Sequence, residues 1–502
     1  MTEHCYEELK ENKNLRENLS SLRRIVKTPE EKEHLKKLIG DGELLIGLLC
    51  ADDPKTRKNA ALLLGELQLQ SSAGSLWTAY EKETTLFVKS AYLTALGKLE
   101  VSDYLEEFRQ RMDELAAVEP AADEKKHIDG ELRELQKIIT GIEGITGHHF
   151  CGLKQEHTFV LTTNRECRNA TLAEIGELAA SVRRSTSQHP LGVAVRSKEL
   201  QPFLSLRTYR ELLFPIHTAD GITQDAATAA DVASAVWNSD LFPLLLECHR
   251  EGAPFYFRLE LKGTMPLDQK SNFAKRFSSE LERLSGRKLI NSTGDYELEI
   301  RLIEKKDGGY APFARLCTVP MKRFSYRKHA ISASVHPATA ALLVQLAKPY
   351  LKENAQILDP FCGVGTMLIE RNIRVPAAEI YGIDLFGEAV RMARENAEAA
   401  GKRIHFINRD FFRFEHDYLF DEIITDMPAG GKQSREETDA LYARFFVKAK
   451  ELLKAGGTVI LYTNEVGFLK KQLRLQSEFH LIREFEIRKK EHRFLYVIGF
   501  RK

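Results

Sequence analysis

Four acids in the last third of the chain stand where short apolar runs end. They are Asp359 after QIL, Asp384 after EIYGI, Asp410 just past IHFIN and Asp426 after EIIT. The runs read as strands over Gln356–Asp359, Glu379–Asp384, Ile404–Asn408 and Glu422–Thr425. One acid at a strand end is explained as the cap of a following helix. Four at consecutive strand ends point to one crevice, because open α/β sheets bind ligands beyond the carboxyl ends of their strands. The first of these ends opens the loop DPFCGVGT, whose Gly363 and Gly365 let a ligand approach the backbone closely. A dinucleotide site would want a third glycine where this chain has Leu368. Asp384 lies 19 residues after Gly365, a spacing suited to ribose hydroxyls. Asp359 favours a cationic ligand group over a phosphate. The fourth end opens TDMPAGG, a short stiff loop with a single acid, Asp426.

The elements that must hold these loops alternate strand and helix from residue 321 to 502. A further strand reads over Thr458–Tyr462, and LIREFEIRKK with HRFLYVIGFRK reads as a closing antiparallel pair. This pattern predicts a doubly wound, Rossmann-like α/β domain. Residues 141–320 form a second region of mixed type. TFVLTT, FYFRLELKG and YELEIRLIEKK read as strands, and SNFAKRFSSELERLSG as an amphipathic helix stopping at Gly286. The strand–helix–strand order resembles the second half of a THUMP domain, an RNA-binding module, while an anonymous α/β domain gives the same order. Residues 1–140 read as successive helices. DPKTRKNAALLLGEL and TLFVKSAYLTALGKL align at an offset of 32, with Leu64-Gly65 on Leu96-Gly97. That period resembles HEAT repeats, whose stacked helical pairs offer a binding surface; one irregular bundle is the alternative.

Composition narrows the classes. Hydrophobic residues make up 43% of the 502 and charged residues 29%, so the chain can build real cores. The net charge of +1 means that any nucleic-acid surface is a local patch. The seven cysteines are scattered without a CxxC, which fits a reduced cytoplasmic protein and gives no support to a zinc or other metal site. The charged start MTEHCYEELKENKN does not read as a signal peptide, and no apolar run is long enough to span a bilayer.

Residues 321–502 resemble a class I methyltransferase of the THUMP-containing RNA guanine-N2 group. The resemblance is carried by YRKHAISASVHPATAALLVQLA, ILDPFCGVGTMLIE, IYGIDL, INRDFF, TDMPAGGK and LLKAGGTVILYT. It implies S-adenosylmethionine as cofactor and methyl transfer to the N2 of a guanine in structured RNA, tRNA first among substrates. Residue by residue, Asp359, Gly363 and Gly365 would line the methionine moiety, and Phe361 and Thr366 are also expected at the cofactor. Asp384 would hold the ribose, Asp410 would accept from the adenine amino group, and Phe411 would cover that ring. Asp426, Met427 and Pro428 would be catalytic. An exocyclic amine is a poor nucleophile because its lone pair is delocalised. Asp426 and the carbonyl of Met427 would accept its hydrogens and stabilise the charge that builds, while Pro428 keeps the loop rigid.

The chain departs from that pattern at Ala429, where relatives carry an aromatic ring that stacks on the flipped base, a contact of ~1–3 kcal/mol. Phe361 or Tyr326 could stack instead, the substrate could differ, or activity could be lost. Cys362 reads as a small packed residue beside the cofactor and not as a nucleophile. Between Thr318 and Tyr350 there is no acid, and Lys322, Arg323, Tyr326, Arg327 and Lys328 form a basic, aromatic run suited to RNA. A solvated linker gives the same run. Arg488, Lys489, Lys490 and Arg493 form a second cluster that reads as surface. Two rival functions stay open: N6-adenine methylation by the same loop chemistry, and an inactive scaffold that binds RNA or a protein partner through the HEAT-like region.

Overall fold

The computed structural model describes residues 2–117, 121, 123–143, 147–225, 227–428 and 434–501. The chain divides into two compact units, Met1–Gly147 and His148–Lys502.

The first unit is helical. Helix Pro54–Leu67 begins where Asp53 accepts from the N–H groups of Lys55 and Thr56, with Pro54 in the first turn. It packs on helix Leu86–Leu96, which in turn packs on helix Lys125–Glu143. Leu63, Leu64, Leu67, Leu93 and Leu96 are fully buried between them. Gly65 is required where the first two of these helices cross. A Cβ there would sit 2.6 Å from the Ala95 Cα, so the two helices touch backbone to backbone.

The second unit carries two sheets. The first contains β1 (His157–Thr162), β2 (Ser185–His189), β3 (Gly192–Ser197), β4 (Leu212–Pro215), β5 (Phe255–Lys262), β6 (Leu289–Asn291), β7 (Leu298–Glu304) and β8 (Tyr310–Leu316). Their order is β2-β3-β1-β4-β8-β7-β5-β6, with β5 parallel to β6 and β7. The crossover helix, Leu267–Leu284, lies between β5 and β6 as its periodicity predicts. Strands β2, β3, β4 and β8 were not legible. Ser185–His189 is an exposed polar edge, and Leu212–Pro215 is only four residues long.

The second sheet contains β9 (Gln356–Asp359), β10 (Glu379–Asp384), β11 (His405–Asn408), β12 (Phe420–Asp426), β13 (Leu453–Thr463), β14 (Phe479–Arg488) and β15 (Arg493–Phe500). Its order is β11-β10-β9-β12-β13-β15-β14. The first five strands are parallel, and β15 is antiparallel to both β13 and β14. The chain reverses at β9, where neighbours on either side come from different directions, and this is where such sheets open a crevice.

The two sheets are joined through Glu370, which is 1% exposed. Arg207, ahead of β4, donates to its two oxygens at 2.7 and 2.8 Å, and the Tyr326 hydroxyl donates at 2.6 Å. Arg323 stacks on the Tyr209 ring at 3.5 Å and donates to the carbonyls of Leu206 and Arg210. These contacts correct two expectations. Tyr326 is buried and its hydroxyl is engaged, so it cannot stack on a base, and Arg323 is committed to the joint and not to RNA. Arg327 is half-buried and donates to the Val335 carbonyl, whereas Lys322 and Lys328 are exposed.

Two substitutions test these packing roles. Gly65→Ala is expected to destabilise the helical unit: overpacking against the Ala95 backbone costs about 1–3 kcal/mol, more than the ~1 kcal/mol gained in helix propensity. The readout is the urea midpoint followed by Trp77 fluorescence in a Trp237→Phe background. Glu370→Ala strands the Arg207 guanidinium and the Tyr326 hydroxyl, and is expected to cost about 3–5 kcal/mol by calorimetry. Glu370→Ala melting at the wild-type temperature would show that the joint contributes nothing to stability.

Candidate active site

The carboxyl ends of β9, β10 and β12 and the turn after β11 open into one cavity of about 510 Å³. All four strand-end acids line it, together with Phe361, Gly363, Thr366, Phe411, Met427 and Pro428. Pairing explains the convergence. Gly382 sits beside Asp359, Asn408 beside Asp384, and Leu358 beside Ile423, so β10 and β12 each run two residues past Asp359 and their acids stand around it.

The two glycines of DPFCGVGT do different things. Gly363 has φ +51°, and a Cβ there would meet nothing within 4 Å. It borders open space, as a cradle requires. Gly365 has φ +80°, and a Cβ there would press on the Phe406 ring at 2.8 Å. It does not line the cavity, so its expected place at the ligand is corrected: it lets the loop pack on β11. Asp384 holds the loop shape by accepting from the N–H groups of Gly363 and Phe386, both at 2.8 Å. Asp410 accepts from the Phe412 N–H at 3.0 Å and caps the short turn Phe411–Arg413. Phe411 is buried and meets Phe361 edge-on, with ring centres 5.7 Å apart. Cys362 is buried, its thiol pushed well up by that burial, and it is unsuited to nucleophilic attack.

Asp359 is 1% exposed. Burial pushes its carboxyl up to about 8, and the charges of Asp384 and Asp426 push the same way. Asp426 is raised to about 6 by burial, against the opposing pull of Arg493. Its Oδ1 is buried without a hydrogen-bond partner, 3.5 Å from Arg493 Nη1. The buried Thr366 hydroxyl is also unpartnered. Buried polar atoms left unpaired are rare in folded proteins and ask for a partner from outside the chain. Ala429 lies outside the described residues.

Several lining residues escaped the sequence. Arg493, read as surface, projects from β15 over the Tyr462 ring toward Asp426. Leu385, Arg409 and Leu441 also line the cavity. So do Ile331, Ala333, Ser334 and Val335, which follow His329, a residue held to the glycine loop by Asn396. That side chain accepts from the His329 N–H and donates to the carbonyls of His329 and Val364. The signal for the segment was present in YRKHAISASVH, but its place over the glycine loop required the fold.

Four acids at the carboxyl ends of a doubly wound sheet, around a cavity bordered by the glycine loop, make a site of the α/β nucleoside-binding class. Residues 325–494, about a third of the chain, match the UPF0020 family, described as an RMKL-like methyltransferase domain. The chain is similar to the tRNA (guanine(10)-N2)-dimethyltransferase of Methanothermobacter thermautotrophicus, with 32% identity over 131 residues, 26% of this chain and 38% of the relative. It is similar to the U6 snRNA (guanine-N(2))-methyltransferase THUMPD2 of Bos taurus, with 29% identity over 150 residues, 29% of this chain and 28% of the relative. The chain thus spans well under half the length of either relative. Among solved structures, TrmN from Thermus thermophilus aligns with 69% of this chain and 100% of its own, at TM-score 0.51 and 22% identity. SMU.472, complexed with SAH, aligns with 70% of this chain and 99% of its own, at TM-score 0.52 and 15% identity. These likenesses establish the fold.

A methyltransferase of this fold takes S-adenosylmethionine, and the residues present fit it. The cradle at Gly363 leaves room, the carboxylates suit an ammonium and a sulfonium, and Phe361 and Phe411 supply an apolar wall.

The raised Asp359 carboxyl gives a pH prediction. In the free protein it keeps its proton up to about pH 8, against 3.8 for the unperturbed group. Between those values the folded state binds more protons than the unfolded state, so this group's contribution to stability falls as pH rises through the window. Asp359→Asn is expected to flatten that part of the pH dependence, read as urea midpoints from about pH 4 to pH 8. Equal slopes in the two proteins would refute the assignment.

Proposed function

We propose that the chain is an S-adenosylmethionine-dependent RNA methyltransferase that acts on the exocyclic N2 of a guanine in structured RNA, with tRNA as its substrate. The observation that carries this reading is the unpartnered, buried Asp426 Oδ1, facing the same cavity as the acid-lined glycine loop. The two guanine-N2 relatives and the DMP form of the loop favour guanine over adenine. In this reading the middle sheet is a THUMP-like module that holds the RNA, the first unit is a HEAT-like array, and the protein works in the cytoplasm. Seven free cysteines suit such a reducing compartment. No helix among the described residues is long and apolar enough to cross a membrane.

When bound, the cofactor supplies a methyl group on a positively charged sulfur. The chain's own residues do the rest. Asp426, on the last residue of β12, accepts a hydrogen of the guanine amine and turns the nitrogen lone pair into the cavity. Met427 donates its N–H to the Tyr462 carbonyl at 3.0 Å, which fixes the loop and aims its own carbonyl at the second hydrogen. Pro428 limits the freedom of that loop. With its carboxyl at about 6, Asp426 is largely ionised at neutral pH and can take the proton that the methylated amine sheds. Arg493 stabilises the ionised form. The apolar walls exclude water, so positioning supplies most of the rate.

The test is methyl transfer from labelled cofactor to small RNA, followed by nucleoside analysis. Label is expected in N2-methylguanosine, with an activity limb rising through about pH 6. Asp426→Asn is expected to lower the rate about 100- to 1,000-fold while the cofactor still binds, and Arg493→Ala to move the limb to higher pH. Label in N6-methyladenosine would replace guanine by adenine, and an Asp426→Asn enzyme as fast as wild type would end the mechanism.

A further inference from the structure

The helical unit carries a groove that the methyl-transfer chemistry does not use. Its volume is about 1,090 Å³, and it lies across the faces of helices Leu15–Ile25 and Pro54–Leu67 and the start of helix Leu86–Leu96. Five of its lining residues are basic, Arg16, Arg23, Arg24, Lys55 and Lys58, and one, Glu17, is acidic. Arg23 is neutralised by Glu66 at 2.9 Å. The other four make no ion pair among the described residues. Asp53 is the acid that faces Arg16, but its oxygens are occupied by the N–H groups of Lys55 and Thr56 and the Thr56 hydroxyl. The cluster follows from helix geometry: Arg16 and Arg24 are separated by about two turns, and Lys55 and Lys58 by about one, so each pair projects from a single face.

We propose that this groove is a second RNA-binding site, which takes the phosphodiester backbone of the same structured RNA away from the methylated base. It rests on the RNA reading above. A chain of net charge +1 that leaves four cations unpaired in one concavity has set aside a local anion site. The rest of the lining favours nucleic acid over an acidic peptide. Asn59 and Ser20 offer neutral donors for phosphate and sugar oxygens. The half-exposed Phe87 ring lies beneath Lys58 Nζ at 5.8 Å and gives an unstacked base a surface to lie on.

The experiment measures binding of an unmodified tRNA transcript to the full chain across a salt series, with polyglutamate as competitor. The Arg24→Gln/Lys58→Gln variant, checked for folding by its melting temperature, is compared with wild type and with Asp426→Asn. The groove variant is expected to bind RNA roughly tenfold or more weakly, with a salt slope shallower by about one for each phosphate it no longer neutralises. Its KM for RNA should rise while kcat stays unchanged. Asp426→Asn, which removes no cation, should keep the wild-type salt slope. A groove variant with the wild-type affinity and slope, in an enzyme that methylates RNA, would overturn the groove alone. Polyglutamate displacing the transcript from wild type but not from the variant, at equal charge concentration and with unchanged KM, would assign the groove to an acidic protein segment instead. Groove-dependent RNA binding without any methylated guanosine would keep the groove and sink the guanine reading.

Discussion

The site depends on keeping four carboxyl groups in a poorly hydrated crevice with no cation close enough to match them. Asp359 is almost fully buried, and Asp384, Asp410 and Asp426 line the same cavity. Arg493 stands 3.5 Å from Asp426 and the exposed Arg413 4.0 Å from Asp410, both too long for a hydrogen bond. Such an arrangement is unfavourable in isolation, and burial shows it by pushing the Asp359 and Asp426 carboxyls upward. A ligand that brings positive charge relieves the cost, so the affinity is built into the ground state of the fold.

Holding that arrangement requires stiffness nearby. The glycine loop is fixed from below by Asp384 and from the side by Asn396, each through backbone groups. Helix Thr366–Arg374, which leaves the loop, carries Arg371 with its bidentate pair to Glu422 at 2.9 and 2.8 Å. The preceding residue on the same helix, Glu370, ties the other sheet to this one. One helix therefore starts at the cradle, locks onto β12, whose end bears Asp426, and fastens the neighbouring sheet. A change at that joint would be felt at the cradle through a single rigid element.

Legibility in the sequence followed the range of the forces involved. The parallel strands were readable because β9 and β10 are short apolar runs that end in acids, and their bounds are those the pattern predicts. The convergence of the acids was readable because sheet topology makes it obligatory. What stayed hidden was set by contacts distant in sequence. Gly363 and Gly365 look alike in DPFCGVGT, yet one borders a cavity and the other admits a phenylalanine ring from 41 residues away. The basic run at 322–328 looked uniform, yet Arg323 and Tyr326 are drawn inward by Tyr209 and Glu370, and only Lys322 and Lys328 remain in solvent.

Arg493 shows most plainly why charge type alone misassigns a residue. In sequence it belongs to a surface cluster with Arg488, Lys489 and Lys490. The hairpin turns between them, and pairing of β15 with β13 brings the start of β15 level with the end of β12. Thr463 lies opposite Phe494 and Tyr462 opposite Asp426, so a side chain at 493 is carried to the mouth of the cavity. The antiparallel strand that closes the sheet thus has a chemical consequence. It delivers a cation to Asp426 and opposes the upward push of burial on that carboxyl, and it does so from a strand 67 residues further along the chain, where no spacing rule could have found it.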